Sequence, residues 1–170
     1  MTATPIELAT DVGTRLRERD EMIATAESAT GGLVSSILTD IPGSSDYFNR
    51  GFVTYAYEAK TGTLGIDRAI LDTQGAVSEQ VATAMATSAR DLAGTAWGLS
   101  VTGVAGPDGG SDAKPVGTMY IGVAYAAPWG SQESSVSARR YEFRGDRHSI
   151  KEQTAGQAIS DLLTEIESRQ

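Results

Sequence analysis

Apolar residues recur along this chain with two alternating periods. Ile6, Ala9, Val12 and Leu16 lie three or four positions apart behind Thr4-Pro5. Acidic residues come early in this stretch and arginines late, which predicts a helix over about 5–19. The short run 22–26 (Met-Ile-Ala-Thr-Ala) carries no charge and reads as a buried strand, followed by a turn at 27–32. Thr30 or Ser28 is placed to cap a second helix, whose apolar positions Leu33, Val34, Ile37, Leu38 and Ile41 keep the 3.6 period. Pro42-Gly43 ends it. Phe48 and the run 51–57 are β-prone, 58–64 is a short helix, and 78–92 is an alanine-rich helix with Val81, Met85 and Leu92 along one side. A strand at 97–102 enters the most glycine-rich loop of the chain, 103–115. A long apolar strand follows at 117–126, and 134–143 alternates loosely enough to pair with it as a hairpin. Gly145-Asp146-Arg147 opens a last helix with Ile150, Ala158, Ile159, Leu162, Leu163 and Ile166 on its apolar face. Strands alternating with helices predict an α/β fold: a three-layer α/β/α sandwich around a mixed, mainly parallel sheet of about five or six strands. A length of 170 residues suits one domain spanning 1–170.

Composition narrows the chemistry. The net charge of −8 is spread along the chain, whereas a nucleic-acid surface needs clustered cations to neutralise phosphates. Three lysines against eleven arginines, with many Asp, Glu, Thr and Ala, fit either a cytosol of high salt or a GC-rich genome. There is no cysteine, so disulfides, thiolate nucleophiles and sulfur-ligated zinc are excluded, and a single histidine cannot build a His-rich metal site. No apolar run approaches the roughly 20 residues needed to cross a bilayer. The first residues have neither a basic segment nor an apolar one, so the expectation is a cytoplasmic protein.

Two strand-to-turn segments are rich in Gly, Ser and Thr, where open α/β sheets place their ligands. Residues 28–32 offer hydroxyls and backbone N–H groups at a helix start, a natural anion site and equally a plain cap. The loop 103–110 holds four glycines that let backbone approach a ligand, yet matches neither a Walker A loop nor G-x-G-x-x-G. A Ser-His-Asp triad would have to use His148, which sits beside Asp146 and Arg147 without a G-x-S-x-G elbow, and reads as a solvated surface residue. A serine served by a neutral lysine remains. Ser111-Asp112-Ala113-Lys114 spells S-x-x-K but lies in a loop, and the S-D-N and K-T-G partners are missing. Ser45 with Lys60 is the other pairing, and it requires the Gly43-Ser44-Ser45 turn to fold back beside the end of the intervening strand.

Several ordered motifs then identify a family. Thr25-Ala26-Glu27-Ser28-Ala29-Thr30-Gly31-Gly32, Pro42-Gly43-Ser44-Ser45, Arg50-Gly51-Phe52-Val53-Thr54-Tyr55, Glu58-Ala59-Lys60, Gly75-Ala76-Val77-Ser78-Glu79, Thr102 through Gly110, Lys114-Pro115-Val116-Gly117-Thr118 and Gly145-Asp146-Arg147 occur in this order. Together they resemble the CinA C-terminal domain family, the nicotinamide-nucleotide amidohydrolases, over nearly the whole chain.

The resemblance implies hydrolysis of the carboxamide of nicotinamide mononucleotide to nicotinate mononucleotide and ammonia, in pyridine nucleotide recycling. It implies no metal or other cofactor, and a homo-oligomer that binds neither nucleic acid nor membrane. Longer members carry an N-terminal domain associated with nucleotide pyrophosphatase activity, which is not expected of this chain. Carried over by position, the nucleophile falls on Ser45, with Ser44 and Ser28 as competing hydroxyls, the tyrosine on Tyr55 and the lysine base on Lys60. Substrate contacts fall on Ser28, Thr30, Gly31, Gly32, Thr102, Gly103, Gly106, Gly109, Gly110 and Arg147. Two departures stand out: Ala29 replaces the usual cysteine, and Ala56-Tyr57 replaces the usual Ser-Asn before Glu-Ala-Lys. The second motivates an alternative, a catalytically weak nucleotide-binding or interaction module of the competence/damage-inducible type. A third reading is amide hydrolysis on another pyridine or pterin-like nucleotide.

Overall fold

The computed structural model describes residues 2–169. Six helices, α1 (Pro5–Arg19), α2 (Leu33–Thr39), α3 (Tyr57–Leu64), α4 (Arg68–Gln74), α5 (Glu79–Ala93) and α6 (Arg147–Glu167), surround five strands. The strands are β1 (Ile23–Glu27), β2 (Phe48–Val53), β3 (Trp97–Gly103), β4 (Thr118–Tyr125) and β5 (Ser135–Glu142). A single 3₁₀ turn, Ser44–Asp46, precedes β2.

The sheet order is β2-β1-β3-β4-β5. β1 pairs in parallel with β2 and β3, while β4 runs antiparallel to both β3 and β5, so four of the five strands point the same way. Interior β1 is buried along its whole length, as a strand covered on both faces must be. Helices α1, α2 and α6 pack together on one face, and α5, backed by α3 and α4, covers the other.

The two faces differ in side-chain size because alternate strand positions point to opposite sides. Ile23, Trp97, Leu99, Val101, Met119, Ile121 and Val123 fill the core shared with α1 and α6. On the α5 side the strands carry Ala24, Ala26, Gly98, Ser100 and Gly122. That helix lies so close that a Cβ on Gly98 would stand 2.1 Å from the Ala86 carbonyl oxygen, and Ser100 Oγ donates to Ala82 O at 2.6 Å.

Local signals set the element ends. Thr4 accepts from Glu7 N and the Glu7 carboxylate accepts from Thr4 N, closing a capping box on α1 behind Pro5 at the first position. Asp67, Ser78 and Asp146 cap α4, α5 and α6 through their side chains. The β-prone run at 51–57 resolves differently from the expectation: the strand occupies Phe48–Val53, and Tyr57 already begins α3. The helix α4 was not anticipated.

Candidate functional site

Strand order sets where the site lies. From β1 the chain crosses through α2 to β2 on one side, and from β2 it crosses through α3, α4 and α5 to β3 on the other. The loops leaving the C-terminal ends of β1 and β3 therefore diverge and open a crevice there. Ser28 follows β1, Thr54-Tyr55 follow β2, and the glycine-rich loop follows β3.

Ser28 is fixed to the sheet, since its N–H donates to Val101 O at 3.0 Å and extends the β1–β3 ladder by one residue. Gly31 and Gly32 continue the turn at φ +62° and +103°, a left-handed path that side-chain-bearing residues rarely take. Beneath the turn lies Glu27, which is buried and accepts four hydrogen bonds. These come from Thr30 Oγ1 (2.7 Å), Val34 N (2.9 Å), Ser35 N (3.0 Å) and Ser35 Oγ (2.7 Å). Its carboxylate thus substitutes for the side-chain cap that Gly32 cannot provide to α2, and it anchors the Ser28 turn. Glu27→Gln keeps the shape but replaces one acceptor oxygen with a donor facing a backbone N–H and a hydroxyl, so it is expected to destabilise the fold by about 3 kcal/mol, read as a lowered urea midpoint.

Lys60 occupies the first turn of α3, only 1% exposed. Its Nζ lies 3.1 Å from Ser28 Oγ and donates to Thr54 O at 2.8 Å and Tyr55 O at 3.0 Å. Burial pushes its pKa below the ordinary 10.5. The Thr54 hydroxyl, also 1% exposed, has no hydrogen-bond partner among the described residues.

The expected Ser45–Lys60 pairing is not formed. Because Ile23 is in register with Phe48 and Glu27 with Val53, the turn bearing Ser45 lies where β1 begins and Lys60 lies where β2 has ended. Six strand residues at roughly 3.3 Å each hold the two about 20 Å apart. Ser45 is exposed, and Ser44 Oγ donates to Thr39 O at 3.3 Å. The hydroxyl that meets Lys60 is that of Ser28, which the resemblance offers both as a competing nucleophile and as a substrate contact.

A cleft of about 450 Å³ adjoins this pair through Tyr55, and is lined also by Tyr57, the 75–77 turn, Gly103 to Gly106, Asp108, Gly109, Ser111, Lys114 and Arg147. Tyr55 is 58% exposed at the rim. Its carbonyl accepts from Lys60 and its phenol accepts from Arg147 at 2.9 Å, while a second nitrogen of Arg147 donates to Gly106 O at 2.5 Å. Arg147 therefore ties the end of β2 to the glycine-rich loop. Of the other expected substrate contacts, Thr30 and Thr102 direct their hydroxyl protons inward, to Glu27 and to Ala76 O at 2.7 Å. Gly110 packs against Val116, where a Cβ would stand 2.8 Å from the amide nitrogen. Glu27, Thr54, Tyr57 and Lys114 were missed. The inward polarity of Glu27 in an otherwise apolar strand was the one legible signal among them.

His148 lies exposed, 3.2 Å from Glu152. Lys114 meets Ser111 only through its backbone N–H, at 3.1 Å to Ser111 Oγ, so the S-x-x-K spelling makes no nucleophile there. No helix among the described residues is long and apolar enough to cross a membrane.

The family model of the CinA C-terminal domain matches residues 6–166. A CinA-like protein of Geobacter sulfurreducens is 48% identical over 153 residues, 90% of this chain and 35% of the relative, so the chain spans about a third of that protein's length. Two relatives of similar length are named nicotinamide-nucleotide amidohydrolase PncC. That of Enterobacter agglomerans is 42% identical over 94% of each chain. That of Pseudomonas putida is also 42% identical, over 92% of this chain and 93% of the other. Among solved structures, the competence damage-inducible protein A of Klebsiella pneumoniae superposes with a TM-score of 0.91 at 28% identity, covering 99% of this chain and 100% of that one. A competence/damage-inducible protein of Agrobacterium tumefaciens gives 0.88 at 36%, covering 96% and 98%.

Proposed function

The chain belongs to the CinA C-terminal domain family, and on that premise we propose that it hydrolyses the carboxamide of nicotinamide mononucleotide, with Ser28 as nucleophile and Lys60 as its base. One observation carries the assignment. Of the three oxygens around Lys60 Nζ, two are carbonyls that can only accept, and the third is the Ser28 hydroxyl. A neutral amine has two N–H donors and one lone pair. The donors go to Thr54 O and Tyr55 O, and the lone pair is left facing the Ser28 proton. Burial, which disfavours the ammonium, supplies that neutral form.

In the first half-reaction Lys60 takes the Ser28 proton as Oγ attacks the amide carbon. The same proton passes to the amide nitrogen, the C–N bond breaks and ammonia leaves an acyl-serine. In the second half Lys60 takes a proton from water, the hydroxide attacks the acyl carbon, and Ser28 Oγ recovers the proton as nicotinate mononucleotide departs. Backbone N–H groups of Ala29, Thr30 and Gly32 are the candidate donors for the oxyanion, worth about 3 kcal/mol each, since that of Gly31 already donates to Ser28 O. Tyr55 and Tyr57 wall the cleft beside the pair, offering aromatic surface to a cationic pyridinium ring.

The reading is supported by the two full-length relatives named for this activity. Its test is ammonia release from nicotinamide mononucleotide by the purified protein. Turnover is expected. Calorimetric binding of the nucleotide without ammonia would instead make this chain a binding module.

A further inference from the structure

All three lysines of the chain stand around one site. Lys60 lies beneath Ser28, and Lys151 Nζ lies 3.7 Å from where a Cβ on Gly31 would be. Lys114 lines the cleft beside the 75–77 turn, in a part that the proposed chemistry leaves without a task.

Lys114 is held in place from several sides. Its N–H donates to Ser111 Oγ at 3.1 Å, Ser111 N donates to Lys114 O at 2.9 Å, and Arg140 of β5 donates to Ala113 O at 2.9 Å. The side chain reaches over Gly75, and Nζ donates to Gln74 O at 3.1 Å. An ammonium has three donors, so two remain. Among the described residues Lys114 forms no salt bridge, and Asp108, which also lines the cleft, pairs with neither it nor Arg147. A chain of net charge −8 thus presents in its cleft a cation with no ion-pair partner among the described residues and two donors to offer. Arg147, the other cation there, already bridges Tyr55 and Gly106.

We propose that Lys114, carried on the Ser111 turn, binds the 5′-phosphate of the substrate and distinguishes a mononucleotide from its dephosphorylated nucleoside. The inference rests on the amidohydrolase reading for the ligand's identity. Its geometry is simple: the carboxamide at the Ser28–Lys60 end and the phosphate at the Lys114 end, with the ribose lying between them. The strong, localised charge of an ammonium suits a phosphate dianion.

The test is calorimetry on the full chain carrying Ser28→Ala to silence turnover, titrated with nicotinamide mononucleotide and with nicotinamide riboside. The mononucleotide is expected to bind about tenfold or more tightly than the riboside, as one charge-assisted phosphate contact provides. Adding Lys114→Gln should bring the two affinities within about twofold by weakening only the mononucleotide, and Lys114→Arg should keep the preference. The proposal is overturned if the preference survives Lys114→Gln, if it disappears only with Arg147→Gln, if both ligands weaken equally, or if neither binds. Ammonia release by the wild type is scored separately. A Lys114-dependent preference without turnover would discard the hydrolase reading and keep this site.

Discussion

Ser28→Ala lowers ammonia release from nicotinamide mononucleotide by about 10,000-fold or more, whereas Ser45→Ala leaves it within about twofold of wild type. The contrast follows from distance. Ser28 Oγ lies 3.1 Å from Lys60 Nζ, and Ser45 sits at the opposite end of β2 on an exposed turn. A nucleophile cannot be activated by a base a strand's length away. Ser28 is 8% exposed and sits in a turn that Glu27 holds from below, so the truncation should leave the fold intact. Equal activity in the two variants, or loss in Ser45→Ala alone, would return the nucleophile to the second motif.

Lys60→Met is expected to reduce turnover by about 1,000-fold or more, and the wild-type rate should carry the signature of the same group. Activity rises with pH as Lys60 gives up its proton and levels off above its pKa, which burial holds below 10.5. Stability has a matching dependence. Between the folded-state pKa and 10.5 the unfolded chain binds a proton that the folded chain does not, so stability rises with pH across that window and is flat below it. Lys60→Met should lose this alkaline rise when urea midpoints are compared over the same pH series. It also leaves Thr54 O and Tyr55 O without their donor, so the variant need not be more stable near neutrality. A pH–rate profile without an ascending limb in the wild type would remove Lys60 as the base.

Much of this architecture could be read along the chain because local rules carry it. The helices Pro5–Arg19 and Glu79–Ala93 begin at Thr4 and Ser78 caps and keep the 3.6 period, and the apolar run over Thr118–Tyr125 pairs with Ser135–Glu142 as the alternation suggested. The Phe52-to-Tyr57 stretch misled because aromatic, β-prone residues continue past the point where Thr54 N makes the last sheet bond, to Glu27 O. There the chain leaves the sheet, and Tyr57 turns into α3. Only the sheet register, a property of two strands together, could mark that point.

Residue types and motifs by themselves identified an α/β chain of the CinA C-terminal kind, and they pointed to a hydroxyl and a rare lysine as the proposed chemistry. The lack of cysteine and a single histidine on a solvated helix start left a lysine base open, and the family resemblance placed that base on Lys60. Which serine lies against Lys60 was decided by the tertiary structure alone. Ser45 is 15 positions away along the chain and Ser28 is 32, yet parallel pairing of β1 with β2 brings the two C-terminal ends together and sends Ser45 to the far edge. Sequence separation measures chain length. A parallel sheet aligns strand ends, so residues that follow neighbouring strands meet however far apart they lie in the chain.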